Sequence, residues 1–312
     1  MVTYTRILVP LDGSELAEQV LPYVRVMAKG LRTRVKLLRI LEPAFQNAAE
    51  VPTHRDAASS QARFSRHNQA QDYLDEVASS LKSDGLIVLR TIREGNPASC
   101  ILNEAETEPG TLIAMSTHGR SGIARWVLGS ITSKVLQATT APLLITRSQA
   151  EGATNSEVNL TTVIVPLDGS PLAEQVLSHA AALAKALSLK VLLVRVTSSP
   201  EEFYRYEMYP SYYYGDPFTT IDAVAGEYLG KISDWLLQQG VTSMEERLLH
   251  GHPAAAIVNL VRERPDSLVA MTTHGRSGVG RWLLGSVADQ VVRYAGSPVL
   301  IIRAAEEGSR EN

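Results

Sequence analysis

The chain has 312 residues, 45% hydrophobic and 20% charged, with a formal net charge of −3. Length and balance suggest about two ordinary globular domains and argue against a protein that coats nucleic acid or an anionic membrane. A single cysteine, Cys100, excludes an intrachain disulfide and fits a reducing, cytoplasmic setting. The N-terminal MVTYTRILVPLDGSE lacks the basic-then-apolar design of a signal peptide, and no apolar run nears the roughly 20 residues of a membrane helix.

In chain order, Arg6 to Val9 reads as a buried strand, and Asp12-Gly13 as a turn in which Asp12 or Ser14 caps the next helix. That helix carries Leu16, Val20, Val24 and Met27 on one face, with Pro22 inside it as a bend. Val35 to Leu41 is a second strand, 42–57 irregular, 58–82 helical, and Leu86 to Ile92 a third strand. Gly95-Asn96-Pro97 opens a helix with proline in its first turn. Thr111 to Met115 and Leu143 to Thr146 are strands four and five, with a helix over Ile131 to Ala138 between them.

The whole order then repeats. ILVPLDGSELAEQV (7–20) returns as VIVPLDGSPLAEQV (163–176), GNPASCI (95–101) as GHPAAAI (251–257), and STHGRSGIARWVLGS (116–130) as TTHGRSGVGRWLLGS (272–286), each offset by 156 residues. The second set of strands is expected near Val163 to Val165, Lys190 to Val196, Thr242 to Leu249, Leu268 to Met271 and Val299 to Ile302, with a helix over Val287 to Tyr294. These repeats place a domain at 1–148, a polar linker at 149–159, a second domain at 160–305 and a charged tail at 306–312. Continuous apolar strands alternating with helices indicate a parallel sheet covered on both faces, and a doubly wound sheet binds ligands at the carboxyl ends of its strands.

The third repeated stretch is strand, loop, helix. Nine residues separate Gly119 from Gly129 and Gly275 from Gly285, and each closing glycine precedes a serine, Ser130 or Ser286. Glycine admits close backbone approach, and helix N-terminal N–H groups hold anions. If strands one and four are neighbours, this loop faces the one carrying Pro10, Asp12 and Gly13, with Ile40 as an apolar wall. Pro166, Asp168 and Val196 are the counterparts. Each residue also has a plainer reading. Asp12-Gly13-Ser14 alone is more often a turn and cap. Arg120 and Arg276 read equally as phosphate ligands or surface charges. His118 and His274 read as catalytic or as structural hydrogen-bonding residues. Trp126 and Trp282 read as packing, and FYRYEMYPSYYYGDPF (203–218) as a lid, an interaction surface or an ordered surface loop. His250-Gly-His252 is not repeated in the first half and is not read as a metal site.

Taken together, VPLDGS, the Gly-x-Pro-Ala helix start, the THGRSG loop and the late APLLI and SPVLI strands make the chain resemble a tandem universal stress protein over nearly its whole length. The resemblance implies two flavodoxin-like, adenine-nucleotide-hydrolase-like α/β domains, each with five parallel strands in the order 3-2-1-4-5. It also implies ATP binding as in one branch of the family, with Mg²⁺ as an accompanying ion, and a stress-response role with little or no turnover. The alternatives are a scaffold that binds no ATP and acts through protein contacts, and an ATP-using enzyme, for which a pyrophosphate loop after strand one and a Walker A motif are both lacking. Family motif positions give a nucleotide set of Pro10, Asp12, Ile40, Met115, Ser116, His118, Gly119, Arg120, Gly122, Gly129, Ser130 and Ile131. In the second half the set is Pro166, Asp168, Val196, Met271, Thr272, His274, Gly275, Arg276, Gly278, Gly285, Ser286 and Val287. No catalytic residue and no protein metal ligand is assigned. Ser116 and Thr272 stand where the ATP-binding branch has glycine. The fifth strands are expected to pair the two halves as an intrachain pseudo-dimer, with further homodimerisation open.

Overall fold

The computed structural model describes residues 2–42, 56–117, 128–147, 158–197, 217–274 and 284–304, without the side chains of 56–60 and 217–220. The chain divides between Glu157 and Val158 into two compact units. The first runs β1 (Arg6–Leu11), α1 (Glu15–Glu18), α2 (Leu21–Leu31), β2 (Arg34–Leu41), α3 (Asp56–Ser83), β3 (Val88–Glu94), α4 (Pro97–Glu106), β4 (Thr111–Ser116), α5 (Ser130–Ala138) and β5 (Leu143–Thr146). Its strands lie in the order β3-β2-β1-β4-β5, all pairs parallel. Ile7, Leu8, Leu37, Leu38, Leu112, Ile113, Leu143 and Leu144 are fully buried, as a sheet covered on both faces requires.

The second unit repeats the plan with β6 (Thr162–Leu167), α6 (Pro171–Glu174), α7 (Leu177–Leu187), β7 (Lys190–Thr197), α8 (Pro217–Gln238), β8 (Met244–His250), α9 (Pro253–Arg262), β9 (Ser267–Thr272), α10 (Ser286–Tyr294) and β10 (Val299–Ile302). Its order is β8-β7-β6-β9-β10, again parallel throughout. Both units are therefore the expected doubly wound α/β fold. Among the described residues no helix is long and apolar enough to cross a membrane.

Two local readings change. The helix expected across Pro22 is two helices. Ser14 caps α1, which ends at Glu18, and α2 restarts at Leu21 with Pro22 in its first turn, where proline's missing N–H is not needed. The third strand begins at Val88, where pairing with Val35 begins, so Leu86 and Ile87 belong to the approach and Ile87 is exposed. Most of the stretch expected to be irregular, 42–57, and nearly all of the tyrosine-rich 203–218 fall outside the described residues.

The constant offset of 156 also breaks within the long helix of each unit. Ala70, Leu74, Val77 and Leu81 form the buried stripe of α3, and Ala225, Leu229, Ile232 and Leu236 that of α8. These pairs are 155 apart, as are the turn glycines Gly85 and Gly240, both at positive φ. From β3 and β8 onward the offset is 156 again: Val88 pairs Val35 and Met244 pairs Val191.

One buried place differs between the units in its charge. Glu104 of α4, with its side chain 2% exposed, receives Lys36 of β2 and Arg93 of β3, while Arg6 of β1 donates to its carbonyl and lies 3.6 Å from its carboxylate. The positions 156 residues on are Leu260, Leu192, Leu249 and Thr162, so the second unit fills this layer almost entirely with leucine.

Candidate functional site

The site forms where β1 and β4 of one unit, or β6 and β9 of the other, emerge side by side. The strand-one loop is a self-contained turn. Asp12 Oδ1 accepts from the Ser14 amide at 3.0 Å and its hydroxyl at 2.6 Å, and Ser14 Oγ accepts from Ala17 N at 3.2 Å as the cap of α1. Asp168, Ser170 and Ala173 repeat this at 2.9, 2.6 and 3.2 Å. Gly13 and Gly169 hold φ near +80° between them, which an L side chain rarely adopts. One oxygen of each aspartate is thus committed to shaping the loop.

On the opposite side, α5 and α10 begin at Ser130 and Ser286 directly after their glycines, with no side-chain cap. The first turn of a helix has N–H groups without intrahelical partners and the positive end of the dipole. The closing glycines do not supply these donors, because Gly129 N donates to Thr117 O at 2.7 Å and Gly285 N to Thr273 O at 2.8 Å. Their role is space: a Cβ on Gly285 would stand 2.9 Å from Thr273 O. The first-turn donors that helix geometry leaves without intrahelical partners begin at Ser130 and Ile131, and at Ser286 and Val287.

In the second unit these parts enclose a cavity of about 320 Å³. Of the residues expected there, Pro166, Asp168, Val196, Met271, Thr272, His274, Gly285, Ser286 and Val287 all line it. Val194, Ile257 and Met271 give it apolar walls, and Asp168 and the start of α10 its polar ends. In the first unit Pro10, Asp12, Ile40, Met115, Ser116, Gly129, Ser130 and Ile131 occupy the corresponding ends of β1, β2, β4 and α5. His118, Gly119, Arg120 and Gly122, with Gly275, Arg276 and Gly278, lie outside the described residues, as do Trp126 and Trp282.

Thr272, at the position where glycine was expected, is buried and donates its hydroxyl to the His274 carbonyl at 2.7 Å. Ser116 is equally buried. His274 Nδ1 lies 3.1 Å from Thr273 Oγ1, in a structural hydrogen bond. Sequence reasoning missed several lining residues, and the charged one among them is Arg195 of β7, paired with Leu167 at the end of β6 as Arg39 of β2 is paired with Leu11. The signal was present in the repeat, as LLRI against LVRV.

The sequence model described as "Universal stress protein family" matches residues 3–147 and again 159–303. A universal stress protein of Mycolicibacterium smegmatis is 22% identical over 299 residues, covering 95% of this chain and 96% of its own. Another, from Synechocystis, is 23% identical over 313 residues, covering 95% and 99%. The crystal structure of a universal stress protein from Archaeoglobus fulgidus superposes with a TM-score of 0.64 at 19% identity, over 98% of this chain and 100% of the other, a likeness of fold.

Proposed function

Since the chain belongs to the universal stress protein family, we propose that it is a stress-response module that binds an adenine nucleotide in each unit and turns it over slowly or not at all. The observation that carries this reading is the second-unit cavity, about 320 Å³, with an acceptor at one end, helix N–H donors at the other and apolar walls between. A nucleotide has that layout: a flat, largely apolar base, a ribose that donates hydrogen bonds, and phosphates that seek amide donors and a positive dipole. Asp168 takes the ribose or base edge, Val196 and Met271 hold the base, and the first-turn amides of α10 hold phosphate. Asp12, Ile40, Met115 and the start of α5 do the same in the first unit. Mg²⁺ arrives with the phosphates and neutralises part of their charge, and the described residues place no dedicated protein cage for it. The expected setting is cytoplasmic.

The test is direct. Purified protein is denatured and any released nucleotide identified by mass spectrometry, then emptied protein is titrated with Mg-ATP by calorimetry. Binding at two sites is expected. No released nucleotide together with no heat at millimolar Mg-ATP sinks the reading. Buried Thr272 and Ser116, bulkier than glycine at the pocket floor, favour a second reading, a scaffold that binds no ATP and acts through protein contacts. The same null titration selects it.

A further inference from the structure

In the first unit an arginine of the second strand closes a ring with the aspartate-bearing loop, and the second unit repeats its arginine, tyrosine and glutamate. Arg39, 8% exposed, donates to the Leu11 carbonyl at 3.1 Å. Its guanidinium lies 6.0 Å from the ring centre of Tyr73 on α3. The Tyr73 hydroxyl donates to Glu18 of α1 at 2.9 Å. Glu18 sits one turn beyond Ser14, whose amide and hydroxyl hold Asp12. The path from Leu11 through Asp12, Ser14, Glu18, Tyr73 and Arg39 therefore returns to its start. The second unit repeats the arginine–tyrosine–glutamate part: the Arg195 guanidinium is 5.3 Å from the Tyr228 ring, and Tyr228 donates to Glu174 at 3.0 Å. Arg195 also lies against the loop, so close that a Cβ on Gly169 would meet its Nη1 at 2.5 Å. Burial, then the charge and hydrogen bond of the glutamate, hold both phenols well above their ordinary pKa; the arginine lowers and the aspartate raises it less strongly. Each tyrosine thus stays a neutral donor.

We propose that Arg39 with Tyr73, and Arg195 with Tyr228, are positioning residues of the two ligand sites, acting through Asp12 and Asp168 by fixing the loop that carries them. This rests on the nucleotide reading above. A guanidinium held over an aromatic face loses little freedom on ordering, and a half-buried phenol anchored at its ring and its hydroxyl makes the loop stiff before ligand arrives. The glutamate ties the ring to α1 rather than to the sheet, so the loop and its short helix are held as one piece.

The test uses the full chain carrying Tyr73→Phe and Tyr228→Phe, changes that keep the rings and remove only the hydroxyl bonds. Two readouts are taken. Hydrogen exchange of the Ser14 and Ser170 amides, which report the aspartate turn directly, is expected to quicken roughly tenfold while β1 and β6 amides stay unchanged. Mg-ATP affinity by calorimetry is expected to fall about tenfold, the size of one weakened hydrogen bond to a charged group. It should fall no further when the same change is made on an Asp12→Ala, Asp168→Ala background. Unchanged exchange at Ser14 and Ser170 overturns the proposal, as does an affinity loss that persists undiminished in the aspartate-free background. Wild-type protein that binds no Mg-ATP would sink the nucleotide reading instead, and the exchange result would still decide whether the ring fixes the loop.

Discussion

At Gly285 the backbone φ is −57°, ordinary for any residue, so its demand is for space alone. A methyl group there would stand 2.9 Å from the Thr273 carbonyl that its own amide binds. Gly285→Ala should therefore cost about 1–3 kcal/mol, as overpacking does, measured by denaturant unfolding; a neutral result would mean the strand end yields easily. Thr272 makes the opposite case. Its hydroxyl is already committed to His274 O, so what it adds to the pocket floor is bulk. Thr272→Gly should tighten Mg-ATP binding at the second site, read by calorimetry; weaker binding would show that the hydroxyl itself serves the ligand. Sequence comparison singled out Thr272 and Ser116, but only coordinates show where the hydroxyl of Thr272 points. Arg39 and Arg195 escaped notice because an arginine in an apolar strand is read as an edge or surface residue, whereas stacking on a tyrosine lets the chain keep it inside.

Among the elements, α4 and its neighbours set the strongest contrast between the units. Glu104 is buried among three cations where the second unit has Leu260. A buried ion cluster gains little over well-packed apolar groups, yet breaking it leaves charge stranded. Glu104→Leu alone should destabilise the first unit by about 3–5 kcal/mol, measured by chemical unfolding followed through first-unit amides. Helix and strand order was legible because strands one, two, four and five are apolar runs with turn residues between them. What was not legible followed from competing local physics. Pro22 fits an interior bend or a first turn equally well by position, and the break between Glu18 and Leu21 decided for the first turn. Leu86 and Ile87 extended the apolar run of β3, but pairing with β2 starts only at Val88.

Across the whole molecule, the two units should respond to acid in different windows. Burial pushes the His179 imidazole of α7 from 6.5 down to about 4. The unfolded chain takes up that proton near 6.5 and the folded unit only near 4, so its contribution is present above 6.5 and lost as pH falls between them. Its counterpart in the first unit is Tyr23, which does not titrate there. For Glu104, burial raises the carboxyl pKa, but the hydrogen bonds and charges of Lys36 and Arg93 outweigh it and hold the group below 4.5. That contribution is present above 4.5 and lost only as pH falls through the lower folded value. Protection of β6 amides, taken relative to their intrinsic exchange at each pH, should fall between pH 6.5 and 4 while that of β1 amides holds, and His179→Leu should flatten the β6 response. Equal acid sensitivity of β1 and β6, unchanged by that substitution, would count against it.

The break in offset along α3 and α8 bears on how the duplication has aged. Matched strictly by the 156-residue spacing, Tyr73 falls opposite Leu229 and the ring in each unit looks unrelated to the other. Matched by the turn glycines Gly85 and Gly240, Tyr73 falls opposite Tyr228 and the two rings coincide. A single-residue length change before β3 or β8, offset by another earlier in the chain, has slid the helix sequence while leaving the contact in place. The two halves share a geometric relation rather than a column, so they are best aligned on the distance from the second-strand arginine to the long-helix tyrosine, with a gap allowed at the turn that follows.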